Sequence, residues 1–296
     1  MKRTAVVTAG TGGIGLETAL GLAAAGFSVT VVGRDADRGA RAVERINAAS
    51  PAPAARFLAA DLASLDEVRA LADRIAADRA AAGAPLTVLV NNVGAMFAER
   101  QDLGGVEASF AVNHLSPYLL TELLLPTLTA GAPSRIVNVT SGAVALAKRT
   151  FNAVEPPGGY YGFHWYGRAK LANLVYTLDL AERLDGTGVS VFAADPGGAA
   201  TAMTDGTLTD PKIVSPALRL LWPLVRRKFE RSTSGPASVA ARPSIVAATD
   251  DALTGRTGIV IGARARPVRP FSAATDPRAV EAVRRLSEQY APLVAG

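Results

Sequence analysis

Short apolar runs that stop at glycine or asparagine alternate with longer helix-spaced segments along most of this chain, and few folds accept that rhythm. The run from Ala5 to Thr8 leads through glycines into a helical stretch from Ile14 to Ala25, closed by Gly26. Ser28 to Val32 stops at Gly33, Asp37 to Asn47 reads as helix, and Arg56 to Ala60 is a weaker strand ending at Asp61. Ser64 followed by Glu67 is a capping-box start for a helix running through Ile75. Further strands are expected at Leu86 to Val90, Arg135 to Val139, Val189 to Phe192 and Gly258 to Ile261, with helices over Gly105 to Thr129 and Tyr166 to Leu184. Such short apolar strands, joined through helices, require right-handed crossovers and a parallel sheet covered on both faces. The expectation is an α/β, doubly wound Rossmann-type fold with its ligand beyond the carboxyl ends of the strands. No internal repeat and no Gly-, Pro- or Ser-rich linker divides residues 1–296, so one domain is expected.

Composition removes several functions. Without cysteine there are no disulfides and no thiolate metal sites. The only histidines, His114 and His164, have no clustered acidic partners with ligand spacing, so no metal site is expected. The net charge is +5 and the pI about 9.7. The basic residues are dispersed apart from Arg226, Arg227 and Lys228, which argues for solvated arginines and against nucleic-acid binding. No apolar run reaches the roughly 18 residues of a membrane span, and the start of the chain has no secretory core. A cytoplasmic protein with a small-molecule partner and no stable membrane insertion is expected; a homo-oligomer is compatible with this.

After the first strand comes Thr8-Ala9-Gly10-Thr11-Gly12-Gly13-Ile14-Gly15. Glycines there let the chain turn sharply and let a pyrophosphate approach the first amides of the helix, where the dipole favours negative charge. Glycines also serve tight turns for backbone reasons alone; the position between strand and helix is what points to a nucleotide. At the tip of the second strand an acid binds the ribose 2′-hydroxyl of NAD, whereas an arginine accommodates a 2′-phosphate. Here Gly33 holds the acid position and Arg34 comes next, which favours NADP(H). Asp35 one step later leaves NAD(H) as the alternative.

Tyr166 and Lys170 lie four apart on a helix and so share a face. An ammonium beside a phenol favours the phenolate and lowers a pKa that otherwise sits at about 10. A tyrosine so tuned exchanges a proton with a carbonyl oxygen. A lone pair of this kind is more often a surface contact, but here other strands end in polar residues at the same edge. Thr140 and Ser141 close the strand from Arg135; Asn91, Asn92, Val93 and Gly94 close the one from Leu86.

On these motifs the chain resembles the short-chain dehydrogenase/reductase family, particularly its retinol-dehydrogenase-like branch. The family's T-G-x-x-x-G-x-G is similar to Thr8 to Gly15, its N-N-A-G to Asn91 to Gly94, and its Y-x-x-x-K to Tyr166 to Lys170. Ser141 falls at the catalytic serine, Asn113 at the helix asparagine, and Asp61-Leu62 where the adenine is held. Asp195-Pro196-Gly197 through Thr201 looks like the segment beside the nicotinamide, and Lys170 to Asn173 is similar to the stretch that begins at the lysine in that branch. The likeness runs from residue 4 to about 203. It implies one dinucleotide-binding oxidoreductase domain in which Tyr166 is the acid/base and Ser141 polarises the substrate oxygen. Lys170 would hold the nicotinamide ribose and lower the Tyr166 pKa, and Asn113 would support a proton-resupplying water chain.

The chain departs from the pattern at Ala9, in place of a glycine whose flexibility Gly10 is expected to supply, and at Val93, in place of a small alanine. Ser141 and Tyr166 also stand 25 residues apart, a wider spacing than the family's commonest. Two irregular segments, 143–165 with Tyr160, Tyr161, Phe163 and Trp165, and 203–234 with Pro211, Pro216 and Pro223, are expected to cover substrate. The aromatics would line an apolar pocket or simply pack. Ile213 to Phe229 reads as a lid in preference to a membrane-surface segment because prolines interrupt it. His164 is expected to be a loop residue with no special role. Ser141 is no hydrolase nucleophile, since no G-x-S-x-G elbow surrounds it. The expected reaction is hydride transfer between NADP(H) and a carbonyl or alcohol of a fairly apolar molecule, as a ketoreductase or alcohol dehydrogenase. The alternatives are C=C reduction or redox-assisted isomerisation at the same site, and a non-catalytic NADP(H)-binding regulator.

Overall fold

The computed structural model describes residues 3–50, 55–197, 210–224, 226–227 and 235–294. Strands β1 (Thr4–Val7), β2 (Ser28–Gly33), β3 (Arg56–Ala59) and β4 (Val88–Asn91) are linked by helices α1 (Gly13–Ala24), α2 (Ala36–Ala49) and α3 (Leu65–Ala81). A two-strand hairpin, β5 (Asp102–Leu103) and β6 (Val106–Glu107), precedes α4 (Ala108–Phe110), a π-helical turn over Ala111–Leu115, and α5 (Ser116–Ala130). Then come β7 (Ser134–Val139), α6 (Gly162–Arg183), β8 (Val189–Ala194), α7 (Pro216–Arg219), α8 (Ala237–Ala240) and α9 (Arg242–Thr249). β9 (Ile259–Gly262), β10 (Arg266–Val268) and α10 (Pro277–Tyr290) complete the described elements.

Eight strands form one sheet in the order β3-β2-β1-β4-β7-β8-β9-β10, parallel throughout except for β10. This is the expected doubly wound architecture, and its order reverses between β1 and β4. Successive strand residues feed opposite layers. Ala5 and Val7 of β1, with Val88 and Val90 of β4, pack under α1, α2 and α9, while Val6 and Leu89 enter the layer under α3, α5, α6 and α10. Each fully buried leucine, isoleucine or valine there contributes about 1.5–3 kcal/mol of transfer free energy. Because α6 is covered on nearly every side, polar residues within it, Arg168, Lys170 and Asn173, are buried too.

Three expectations are corrected. The helix expected from Gly105 starts at Ala108, because Gly104 and Gly105 both have positive φ (64° and 83°) and make the tight turn of the β5–β6 hairpin. Glu107 then caps the chain behind them, its carboxylate accepting from the amides of Ser109 (2.7 Å) and Phe110 (3.0 Å). The helix expected from Tyr166 begins earlier, at Gly162. The capping box at Ser64 is half formed. Ser64 Oγ accepts from Glu67 N (3.3 Å), but Glu67 reaches past it to accept from Asp61 N (2.7 Å) and so shapes the β3–α3 turn.

Candidate active site

The glycine turn is held to β4 by Thr8, whose amide donates to Val90 O (3.0 Å) and whose hydroxyl accepts from the amides of Asn92 (2.9 Å) and Val93 (3.1 Å). Asn92 Nδ2 donates to Thr8 O (3.2 Å) and bears on Ala9 O (3.4 Å). Ala9 itself adopts φ 49°, so it takes the left-handed position directly, contrary to the expectation that Gly10 would supply the flexibility. Gly15 is required by close approach, since a Cβ there would lie 2.3 Å from Ala9 O and 2.5 Å from Asn92 Nδ2. Gly12 is the N-cap of α1 and provides no side-chain cap, and no acidic residue occupies the first turn of α1. The first amides of α1 therefore lack side-chain partners, the arrangement that accepts an anion.

A cleft of about 910 Å³ opens over this turn, lined by residues from Ala9, Thr11 and Gly12, the β2 tip, Asp61-Leu62, and Val93 to Ala95. At the β2 tip a side chain on Gly33 would strike Thr11, its Cβ 2.8 Å from Thr11 Cγ2. Asp35, the residue that kept NAD(H) open, is the N-cap of α2, accepting from Arg38 N (2.8 Å). Arg34 and Arg38 both line that end of the cleft. No motif marks Arg38, which sits one helical turn beyond the strand tip. Asp61 accepts from Ala63 N (3.0 Å) and lines the cleft beside Leu62. An uncapped helix start, a glycine turn over which the Arg38 guanidinium reaches (2.7 Å from where a Cβ on Gly12 would lie) and Arg34 at the β2 tip fit the phosphates of a dinucleotide.

Asn91 differs from its expected place. Its Nδ2 donates to Thr121 Oγ1 (2.7 Å) and Asn138 Oδ1 (2.8 Å) inside the sheet layer, so the side chain braces the strands and does not line the cleft. Lys170 Nζ donates to Val93 O (3.1 Å) and Val139 O (3.0 Å), tying α6 to the ends of β4 and β7 with two of its three hydrogens. Gly94 faces both Lys170 Nζ and Asn113 Oδ1: a Cβ on it would lie 3.5 and 3.4 Å from them. Asn113 lies in the π-turn, a feature frequent at functional sites. Its Nδ2 donates to Ala95 O and Ser109 O (both 2.8 Å) and its Oδ1 accepts from Ala95 N (3.0 Å).

Tyr166 is buried at the start of α6, next to Ser141 at the end of β7, whose Oγ caps the following turn by accepting from Ala143 N (3.2 Å). Burial pushes the Tyr166 phenol up to about 12; Ser141 eases it back and Asp195 adds to the rise. Burial brings Lys170 down to about 7. The phenol therefore moves opposite to the expected lowering: loss of water around the phenolate is the largest cause, and Lys170 Nζ lies 6.0 Å from the ring centroid. Tyr166 stands as a protonated donor. Asp195, a residue with no role expected of its side chain, closes β8; its carboxylate accepts from Gly197 N (2.9 Å) and from the backbone of Gly142, bridging to the residue after Ser141. Gly197 takes φ 73° after Pro196, while Thr201 lies outside the described residues.

The histidines are both structural. His164 belongs to α6, not a loop. Its Nε2 accepts from Ser215 N (3.2 Å), so the proton is on Nδ1, which donates to Leu146 O (2.6 Å); it staples two segments together. His114 is fully buried and lowered by burial to about 3, with Nε2 2.7 Å from Ser287 Oγ. Tyr160 and Trp165 stack with centroids 5.3 Å apart, and the Tyr160 hydroxyl donates to Phe97 O (3.0 Å), so these two pack. Among the described residues no group of side chains has the make-up of a metal site, and no helix is long and apolar enough to cross a membrane.

The model of a family described as short chain dehydrogenase matches residues 3–212. Mouse (Mus musculus) retinol dehydrogenase 12 is 36% identical over 234 residues, 79% of this chain and 70% of that protein. Other curated relatives are spanned over 51% and 61% of their own length. An uncharacterised protein from Mycobacterium paratuberculosis has a similar structure, with TM-score 0.73, 27% identity, and coverage of 98% of this chain and 93% of that one. So has a protein from Beutenbergia cavernae described as an NAD(P)-dependent gluconate 5-dehydrogenase and solved with NADP, with TM-score 0.68, 27% identity, and coverage of 88% and 94%. With the motifs, the sheet order and these matches in agreement, the chain belongs to the short-chain dehydrogenase family and resembles its retinol-dehydrogenase-like branch.

Proposed function

We propose that this NAD(P)-dependent oxidoreductase uses NADP(H) to interconvert a carbonyl and an alcohol on a fairly apolar small molecule. The observation that carries the reading is the meeting of a protonated, buried Tyr166 with Ser141 and Lys170 where β4, β7 and β8 end, beside the cleft over the glycine turn. When bound, the nicotinamide supplies or accepts the hydride. The chain does the rest. Thr11, Gly12, Gly13, Ile14 and the amides opening α1 hold the pyrophosphate. Arg34 and Arg38 face the 2′-phosphate, while Asp35, committed to its cap, does not contest it. Val93, Gly94, Pro196 and Gly197 border the nicotinamide end. Ser141 donates to the substrate oxygen, and Tyr166 gives its phenolic proton to that oxygen as it gains charge, or takes the proton back in the reverse direction. Lys170 holds the ribose with its remaining hydrogen. Asn113, braced through Ala95, keeps the route for proton resupply in place.

An apolar substrate is supported by Phe97, Leu103 and Val112 in the lining of the cleft, and by retinol in the name of a relative. NADPH consumption, measured by absorbance with a panel of ketones and aldehydes, tests this. Tyr166→Phe should lower kcat by about 10²–10⁴-fold with NADPH affinity unchanged. Turnover equal to wild type would remove Tyr166 from the acid/base role.

A further inference from the structure

Arg168 is the largest fully buried side chain of the molecule's described part, and nothing in the proposed reaction uses it. Two residues from both Tyr166 and Lys170 on α6, it points to the opposite side of the helix from them. Each branch of its fork takes a different backbone carbonyl of the segment joining Ser141 to Tyr166. Nε donates to Thr150 O (2.9 Å), one terminal nitrogen to Val154 O (3.0 Å), and the other to Ala153 O (2.8 Å). Its carbon centre lies 4.7 Å from the ring centroid of Phe110, 5.0 Å from Phe151 and 6.0 Å from Trp165. Phe110 is three residues before Asn113. The amide of Phe110 is fixed by Glu107, whose carboxylate also lies 3.2 Å from the Tyr160 hydroxyl.

A guanidinium suits this place because three donors in a rigid fork can reach three carbonyls spread over five residues, which a point-like ammonium cannot. Burial brings it down to about 10, so it remains charged at neutral pH, aided by the nearby Glu107 and Glu155 carboxylates. Three parts of the site come from separate stretches of chain: Ser141 from β7, Tyr166 from α6, and Asn113 from the π-turn. Arg168 touches the loop between the first two and the helix turn leading to the third.

We propose that Arg168 is a positioning residue that sets the geometry between Ser141, Tyr166 and Asn113 by pinning the 150–154 loop and Phe110 to α6. It acts through backbone and ring contacts and never meets substrate. The proposal rests on the reading of Tyr166 and Ser141 as the reacting pair.

The test is Arg168→Ala in the full chain, assayed for kcat, KM and NADPH affinity with and without millimolar guanidinium. Tryptic cleavage after Lys148 or Arg149, sites at the edge of the pinned loop, is mapped by mass in parallel. The expected result is a loss of about ten- to a hundredfold in kcat, the scale for a misplaced reacting geometry, with NADPH affinity unchanged and the loop newly cut. Guanidinium should restore both loop protection and kcat, and should leave wild type unaffected. A folded variant with wild-type kcat and an uncut loop overturns the proposal, as does a kcat loss that guanidinium does not reverse. If the variant does not fold, Phe151→Leu, which removes one stacked ring, decides alone: loop cleavage and lowered kcat support the proposal, and the absence of both overturns it. Failure of the reaction reading shows separately, as undiminished turnover of Tyr166→Phe, while guanidinium-dependent loop protection still reports on Arg168.

Discussion

Exchange of the proposed NADP(H) preference should need two substitutions, at Gly33 and Thr11, and not one. A carboxylate at the end of β2 is the usual device for holding the 2′-hydroxyl of NAD, so Gly33→Asp is the direct change. Its Cβ would lie 2.8 Å from Thr11 Cγ2 and 3.0 Å from Thr11 Oγ1, yet 3.5 Å from Thr11 Cβ. The first contact requires the Thr11 side chain or the glycine turn to shift, the second is tight, and the third is ordinary packing. Overpacking of this kind costs about 1–3 kcal/mol. The new carboxylate also competes with a 2′-phosphate for Arg34 and repels it, and losing one charge-assisted hydrogen bond is worth about 1.5–3 kcal/mol. Gly33→Asp should therefore weaken NADPH about tenfold or more, at about 1.4 kcal/mol per decade, while gaining little for NADH. Thr11→Ala added to it removes the two clashing atoms and should recover about 1–3 kcal/mol of NADH affinity, seen as coupling in a double-mutant cycle. Titration of the four proteins with NADPH and NADH by fluorescence measures every term. If the double variant binds NADH no better than Gly33→Asp, the steric argument is wrong. If the ratio of the two affinities does not move in either, the β2 tip does not read the ribose.

Arg38→Leu should weaken NADPH by about tenfold or more and leave NADH unchanged; equal losses for both would place Arg38 on the pyrophosphate instead. Ala9→Gly should stabilise the fold by about 0.5–1 kcal/mol, since it relieves about 1–2 kcal/mol of left-handed strain but frees the unfolded chain by about 0.4–1 kcal/mol; a lower thermal midpoint contradicts this. His114 has a folded pKa of about 3 against an ordinary value of 6.5, so between those values the unfolded chain binds the extra proton and acid destabilises the fold. That is on the order of 4 kcal/mol lost between pH 7 and pH 3, and His114→Gln should show a shallower acid dependence in denaturant melts. Lys170 is displaced the same way, to about 7 from 10.5, so stability should rise from pH 7 toward 10, and Lys170→Met should flatten that rise.

What the sequence revealed of this molecule, and what it hid, divides along physical lines. The parallel strands were legible because burial on both faces forces runs such as Leu86 to Val90, whose β4 portion is buried at every position. β10 was not. It is an edge strand whose three residues, Arg266, Pro267 and Val268, are all exposed, and an edge tolerates proline. The β5–β6 hairpin was missed, its second strand falling inside the helix expected from Gly105, because its strands are two residues long. Gly104 and Gly105 were the available signal, a pair suited to a two-residue turn. Tyr166, Lys170, Ser141 and Asn113 were named from motifs that a family resemblance made specific, and the structure puts Tyr166 beside Ser141 and Lys170, and Gly94 against both Lys170 and Asn113. The Tyr166 pKa was not legible, since spacing shows that Lys170 is near but says nothing of how much water the phenol loses.

The same distinction explains the residues that carry no motif at all. Arg168 and His164 both lie inside or beside Y-x-x-x-K, yet neither bonds to a side chain that a pattern would pair with it. Arg168 reads three carbonyls and His164 one carbonyl and one amide. Every residue offers such backbone groups, so the partners of these two side chains leave no mark on the sequence, and only the path of the chain reveals them. Asp195 is the intermediate case: its carboxylate meets the amides of Gly142 and Gly197 through loop geometry, but its place at the end of β8 was visible. Side chains that hold backbone are thus the part of this fold that no motif announces. The guanidinium rescue of Arg168→Ala probes that class of contact directly, because the added ion can fill the gap between three carbonyls only if the loop returns to its path.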